Sequence, residues 1–481
     1  MNPINKIDLV NSFFNLSLDS STHLTNATNS SKDITDGSIF FALQGTTEHG
    51  IKYSTDAISK GASVVLSDKE LQYKNSHKVF YIPNLQSRIK DFLFKYYMID
   101  KMQVLFFGFT GTNGKTSSAF LTYQLLETYG REAAYFGTIG FQSKDIFVKS
   151  PTTTPSIFFL FENLKDINIQ DKLYVVLELS SHALDQNRLY DLHFNKTGIL
   201  NITSDHLDYH RTKEAYQLSK LKALNIKSDS KPLIDKSVVP IIRKHDYDSK
   251  GFEMVGLNNP DGRFNVNIYQ YSPQGSEVTI HDHLSDRQTS FTSKIFPTFN
   301  LYNLSFAICM LFDHLPFTEE ITDLNHIKLP IGRNTVLSLQ DKSVVIDFAH
   351  NPEAFLSILH AYSKFYKRIW IVFGCGGERD KTKRPIMFDI ANNFCERIFF
   401  TSDNSRSESF KSILQDATKN IKYKKLTVIE DRDQAIHDSI SMLPKKVPLL
   451  ILGRGHETEL NMGNELIKHS DIEASQKYLD I

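Results

Sequence analysis

The stretch Val104–Phe120, VLFFGFTGTNGKTSSAF, decides how the chain is read. It opens as an apolar run of strand character, breaks into a glycine-rich loop and continues in a helical pattern, SAFLTYQLLETYG. Glycines let the backbone curl until its N–H groups converge on an anion, and the N-terminus of the following helix adds partial positive charge. Lys115 offers a point charge to phosphates, and Thr116 offers a hydroxyl to Mg²⁺. The spacing is GxxGxxGKT with an accessory Gly111, because Phe109 stands where the plain Walker pattern has glycine. A glycine-rich turn that merely contains a lysine is the bland alternative. The strand–loop–helix context argues for nucleotide phosphates instead.

Outward from this loop the same unit recurs: a short apolar run, then a polar or glycine-rich break. Tyr174–Leu179 precedes SSH, Thr197–Ile202 precedes TSDHLDYH, Ser343–Phe348 precedes AHNP, and Ile369–Phe373 precedes GCGGERD. Arg397–Thr401 and Pro448–Leu452 lead into SDNSR and GRGHE. Short buried strands ending in such loops predict open parallel sheets, whose ligands bind outside the carboxyl ends of the strands. The units cluster at 100–210 and 343–460. Between them lie β-like alternation near 262–294 and a helical pattern near 300–312. Ser38–Leu43 and Ala62–Leu66 give the first hundred residues their own strands. The expectation is an α/β protein of three domains, 1–98, 99–330 and 331–481.

Composition narrows the function classes. Among 481 residues, 55 Lys+Arg balance 55 Asp+Glu, so net charge gives no case for binding nucleic acid or an anionic membrane. Hydrophobic residues at 41% exclude a disordered chain. Cys309, Cys375 and Cys395 are scattered and odd in number, which suits neither a disulfide framework nor a zinc site. The start, MNPINKIDLVNSFFN, does not read as a signal peptide, and no apolar run approaches a membrane span. A soluble cytoplasmic protein is expected.

Two further groups of residues carry chemistry. Glu178 ends one strand, with Ser180, Ser181 and His182 just beyond, and Asp205, His206, Asp208 and His210 follow the next. Taken alone, each histidine reads as structural. Beside a phosphate loop, Glu178 and His206 become candidate metal ligands, because Mg²⁺ takes oxygen donors and keeps several waters. In the second cluster Asp347 and His350, then Arg379, Asp380, Lys381 and Arg384, then Asp403, Asn404, Arg406 and Glu408, then Gly453, His456 and Glu457 fall on four loops. Both charge signs at one sheet edge suit a zwitterionic ligand, and a solvated charged rim is the bland reading. GCGG lacks the rest of a dinucleotide fingerprint and is discounted.

Together these landmarks resemble the Mur ligase family, and within it the branch that extends a UDP-N-acetylmuramoyl dipeptide. The ordered series is GSIFFALQG, TGTNGKT, TTTP, ELSSHALDQNR, NITSDHLDYH, FNLYN, GR (Gly332, Arg333), DFAHNP, GGERDKTKRP, SDNSRSE and GRGHE, spanning nearly the whole chain. The resemblance implies an N-terminal uridine-nucleotide domain, a central P-loop ATPase domain and a Rossmann-like C-terminal domain. It implies ATP-dependent amide formation through an acyl phosphate in peptidoglycan precursor synthesis, with Mg²⁺ as cofactor.

Carried over by position, the resemblance assigns Gly111, Thr112, Asn113, Gly114, Lys115, Thr116, Ser117, Asn300, Arg333 and Asp347 to ATP. Thr116, Glu178, His206 and a carbamate on Lys220 would hold the metal, and Lys115, Glu178, His206 and Lys220 would carry catalysis. From residue type alone Lys220 reads as an exposed helix lysine beside Lys222. Ser31, Thr46, Thr153, Thr154, Ser180, Gln186 and Arg188 would meet the UDP-sugar peptide. Arg379, Asp403, Asn404, Ser405, Arg406, Gly453 and Glu457 would meet the incoming amino acid, meso-diaminopimelate in preference to L-lysine because of the extra arginine. Two motifs depart from the family: its DSR is Ser30, Ser31, Lys32 here, and the Pro of its DNPR is Ser405. The expected partners are small molecules only, and a monomer is expected. The competing readings are another ligase such as folylpolyglutamate synthase and, outside that class, an ATP-driven switch protein.

Overall fold

The apolar runs form three parallel-rich sheets in the computed structural model, which describes residues 5–481 apart from 46–47, 71–76, 250, 319, 420, 423–424 and 464. The N-terminal sheet has four parallel strands in the order Ala27–Thr28, Ile39–Ala42, Val64–Ser67, Val79–Tyr81. One face buries a small cluster of its own, Phe40, Ala42, Ala57, Ala62 and Val65, and the other shares its core with the central unit. Val10, Phe14, Phe41 and Phe92 belong to one apolar cluster with Phe158, Phe161 and Leu177 of the central unit. Phe41 and Phe158 lie 4.8 Å apart, and the Tyr97 hydroxyl donates to Glu162 at 2.6 Å.

The central sheet has twelve strands, and its middle positions the site. Val104–Thr110 lies between Leu173–Glu178 and Lys196–Ile199, all parallel. Side chains of these strands are buried on both faces, which explains their unbroken apolar runs. Phe109 is level with Glu178, and Thr110 with Ile199. Three loops therefore leave one edge together, where the chain, having built one side of the sheet, crosses to the other. Helix Lys115–Thr128 packs against helix Thr298–Leu311, both sunk in a second apolar cluster. The alternating region near 262–294 is an antiparallel meander, Phe264–Ser272, Gly275–Asp282 and Arg287–Ser293, added to the same sheet.

The C-terminal sheet runs Thr335–Leu339, Lys342–Asp347, Pro448–Leu452, Trp370–Phe373, Arg397–Phe400, Leu426–Val428, antiparallel only in the first pair. Asp347, Leu452, Phe373 and Phe400 fall in one register row. Their loops thus fan out from a single edge. An aromatic joint seats this lobe on the central unit: Tyr271 and Phe296 pack on Phe365, and Phe296 on Tyr362. Asn334 donates to the Phe296 carbonyl at 2.9 Å. Among the described residues, no helix is long and apolar enough to cross a membrane.

One buried ion pair fixes the loop edge of the C-terminal lobe. Arg432 is bidentate on Asp471, at 2.7 and 2.8 Å, with both side chains fully buried. The same guanidinium donates to the carbonyls of Ser402 and Leu452, where two of the functional loops begin. Against the penalty of burial, Arg432 and His469 hold the Asp471 carboxyl well below its ordinary value. Its contribution is therefore in place above the unfolded carboxyl pKa of ~3.9 and is lost as pH falls through the lower folded value. Asp471→Asn leaves a buried guanidinium without its counter-charge. At neutral pH we expect the C-terminal lobe to lose about 3–5 kcal/mol in urea unfolding; a loss below 1 kcal/mol would contradict this role.

Candidate active site

The phosphate loop is held open from both sides. Asn113 N–H donates to Asn201 at 2.8 Å, and Asn201 returns a bond to the Asn113 carbonyl at 2.9 Å. The Thr112 hydroxyl accepts from Thr203 N–H and lies 2.9 Å from the Tyr216 hydroxyl. Gly114 has φ +88°, and a Cβ there would come within 2.7 Å of Asn303 Oδ1, so both conformation and space require glycine. Lys115 folds back on the carbonyls of Gly111 and Thr112 at 2.8 and 3.1 Å. Burial pushes its pKa below the ordinary lysine value, with Glu178 and Asp205 pulling the other way.

Glu178 ends its strand with 0% of its surface exposed. Its carboxylate accepts from Thr116 Oγ1 at 2.8 Å, Tyr135 OH at 2.5 Å, and Thr138 N and Oγ1 at 2.7 and 3.1 Å. A Cβ on Gly137 would come within 2.1 Å of that carboxylate, which explains the glycine. Lys220 lies on helix Lys213–Leu221 with 1% exposure. The reading of it as an exposed helix lysine is thus corrected: it lies on the helix face turned to the phosphate loop, donating to the Gly111 carbonyl at 2.7 Å, while Lys222 pairs with Asp185 at the surface. Burial, with Lys115 nearby, holds the Lys220 amine well below its ordinary pKa. His206 has positive φ (51°) at the start of a short helical turn, and its imidazole, brought to about 4 mainly by burial, packs 5.0 Å from His182.

These donors fit a magnesium ion: a buried carboxylate already meets the phosphate-loop hydroxyl, and both are hard oxygen ligands. Among the described residues no three His, Cys, Asp or Glu side chains form a metal cage. A cation here would keep water and phosphate oxygens among its ligands.

The C-terminal loops face this loop across a cavity of about 710 Å³. Its walls include Thr112–Ser117 and Asn300 of the central unit and Arg333, Asp347, Arg379, Asp403, Asn404, Arg406, Gly453 and Glu457 of the C-terminal lobe. Arg333 reaches Thr116 Oγ1 at 3.3 Å and stacks 4.4 Å above Phe348. The Asp347 carboxylate accepts from the N–H groups of Asn334 and Ala349, both at 2.7 Å. Asn404 donates to Glu457 at 3.0 Å, and Arg454, fully buried, reaches Asp403, Asn404 and Glu457 at 3.2–3.4 Å. Burial and the nearby Asp403 raise the Glu457 carboxyl above its ordinary pKa. Arg406 is fixed by the carbonyls of Gly377 (2.6 Å) and Asn404 (3.2 Å).

Other candidate residues fall differently. Thr153 and Ser180 line the cavity, and Thr154, Ser180, Gln186 and Arg188 form one hydrogen-bonded chain beside it. Ser31 does not line the cavity; its carbonyl accepts from Lys60 at 3.1 Å. Thr46 lies outside the described residues. Ser405 is not part of the lining, and its hydroxyl meets the Met462 sulfur at 3.5 Å. Arg379 reaches out of its own loop to pair with Asp208. Arg384 also lines the cavity, and it forms a near-buried bidentate ion pair with Glu408. Thr138 and Tyr135 carry no motif of their own, and Asn303 and Arg454, though inside FNLYN and GRGHE, were not singled out; the folded contacts reveal all four.

The Mur ligase middle domain matches residues 109–311, and the Mur ligase glutamate ligase domain matches 332–455. A UDP-N-acetylmuramoyl-L-alanyl-D-glutamate–2,6-diaminopimelate ligase of Listeria monocytogenes serotype 4b (strain F2365) is 30% identical over 451 residues, 92% of this chain and 91% of that one. A solved structure of an enzyme with that activity superposes with a TM-score of 0.65 at 24% identity over 98% of both chains. The MurF ligase of Thermotoga maritima in complex with ADP gives 0.63 at 17% identity, covering 95% of this chain and 98% of that one. With the phosphate loop, the buried Glu178 and the facing C-terminal loops in one cavity, the chain belongs to the Mur ligase family.

Proposed function

We propose that the protein joins meso-diaminopimelate to UDP-N-acetylmuramoyl-L-alanyl-D-glutamate in an ATP-dependent amide synthesis of peptidoglycan precursors. The observation that carries this is the single cavity walled by a phosphate loop and by an acidic–basic amino-acid pocket. A carboxylate is a poor acyl donor, so the D-glutamyl carboxylate first attacks the γ-phosphate and becomes an acyl phosphate. Lys115 and Arg333 face the phosphates from two lobes and neutralise charge as it shifts. Magnesium held by Thr116, Glu178, His206 and a carbamate on Lys220 would supply further charge neutralisation. The amine of the amino acid then adds to the acyl carbon, and the tetrahedral adduct expels phosphate. Seated over the cavity, the C-terminal lobe keeps water from the acyl phosphate.

We assign contacts with the muramoyl peptide to Thr153, Thr154, Ser180, Gln186 and Arg188, two of which line the cavity. We assign uracil recognition to the N-terminal unit around Ser31. Arg406 sits beside Asp403 and Glu457, so the pocket offers a cation and two carboxylates. The distal end of diaminopimelate carries both a carboxylate and an ammonium, whereas lysine carries only the ammonium and would leave Arg406 without an anion. A reaction that consumes ATP, in a chain whose three cysteines are free, fits a cytoplasmic enzyme.

Phosphate release with the UDP-sugar dipeptide and a panel of meso-diaminopimelate, L-lysine and L-ornithine tests the assignment. We expect meso-diaminopimelate to lead in kcat/KM by about 10²-fold or more. Arg406→Ala should erase most of that preference while leaving the KM for ATP nearly unchanged; equal use of L-lysine by the wild type would overturn the choice of amino acid. The carbamate has its own test. Burial favours the neutral Lys220 amine, the form that adds CO₂. Protein equilibrated with ¹³C-bicarbonate should show a carbamate resonance that Lys220→Met lacks, and a wild-type spectrum without it would refute the modification.

A further inference from the structure

Two ion pairs cross the cleft between the central unit and the C-terminal lobe. Lys383 Nζ lies 2.6 Å from Asp205 Oδ1, and Arg379 pairs with Asp208. A third C-terminal group, the His350 imidazole, stands 3.8 Å from Asp205 Oδ2. Neither aspartate belongs to the apolar cores that fold the two units.

Both ends of the Lys383–Asp205 contact connect rigidly to reacting groups. On the central side, residues 201–203 hold the phosphate loop through Asn113 and Thr112. On the other side Lys383 opens helix Lys383–Phe394, and its neighbour Arg384 is buried against Glu408 and the Gly376 carbonyl. Gly377 in turn receives Arg406. A continuous chain of contacts therefore runs from the phosphate loop through Asp205 and Lys383 to the amino-acid pocket.

We infer that Asp205 and Asp208 are positioning residues: by receiving Lys383 and Arg379 they set the amino-acid pocket against the phosphate loop. This rests on the ligase reading given above. The two pairs contribute unequally. Lys383 and Asp205 are 18% and 8% exposed, so salt screens them little, whereas Arg379 and Asp208 are 52% and 36% exposed and add less. A misplacement of about 1 Å between amine and acyl phosphate costs on the order of 10²-fold in rate. Docking of the lobe is thus a kinetic requirement as well as a structural one.

The test is a double-mutant cycle of Lys383→Met and Asp205→Asn, read by kcat and by KM for each substrate. Each single change should lower kcat by on the order of 30-fold or more and raise the KM for the amino acid, with the KM for ATP within about twofold of wild type. The double variant should be no worse than the poorer single one, because both remove the same contact. Losses that multiply would overturn the inference. Small-angle X-ray scattering with a non-hydrolysable ATP analogue and magnesium reads docking without turnover. Wild type should keep the dimensions of the present closed arrangement, and Lys383→Met should expand. A Lys383→Met protein as compact as wild type would overturn the inference whatever its activity. Wild-type protein that joins no amino acid would instead sink the ligase reading and leave the scattering comparison to decide this one. Lys383 stands in the first turn of its helix and is less buried than Asp205, so its substitution serves even where Asp205→Asn unfolds.

Discussion

Everything in this molecule follows from one geometric constraint: two sheets must present their carboxyl edges to each other across a cavity. An acyl phosphate is open to hydrolysis by water as well as to capture by an amine, so the activating group and the amine must be preassembled in a site that water does not fill. The sheets meet this constraint by register. Phe109 and Glu178 end level on one sheet, and Asp347, Phe373, Phe400 and Leu452 end level on the other. Loops that start from a common row can all reach the same few ångströms of space.

Charge is concentrated where these edges meet, and most of it is neutralised locally. Glu178 is buried but accepts four hydrogen bonds, Asp347 is buried against two backbone N–H groups, and Arg454 gathers Asp403, Asn404 and Glu457. Buried charges are tolerated only with such partners. Lys115 and Lys220 differ. Their amines rest on backbone carbonyls of the phosphate loop itself, the positions that an incoming triphosphate and its cation would take over. The site is rigid in its scaffold and holds these two amines at its centre.

The sheets were legible because their strands are buried on both faces and so read as unbroken apolar runs; Val104–Thr110, Leu173–Glu178 and Pro448–Leu452 are examples. Glu132–Phe136 and Leu233–Asp235 were not singled out, since the first opens on a charge and the second is three residues long. The sharing of one apolar cluster by the N-terminal and central units was also hidden, because composition does not say which faces meet. Within the site, residues attached to a spaced motif could be found from the chain alone. Lys220 could not be assigned from its own helix, whose pattern is amphipathic and polar, and its burial is decided by Tyr216 and the phosphate loop. Arg384 and Glu408 are a different case: charges on functional-looking loops whose pairing with each other the sequence did not show.

The central claim is that phosphate passes to a carboxylate before the amide forms, and an oxygen label follows that transfer directly. With ¹⁸O in the terminal carboxylate of the UDP-sugar dipeptide, the account predicts one labelled oxygen in each phosphate released, seen by mass spectrometry or ³¹P NMR. Phosphate that carries oxygen from solvent and none from the carboxylate would contradict it, because the triphosphate would then be spent on water while the two sheet edges face each other for some other purpose.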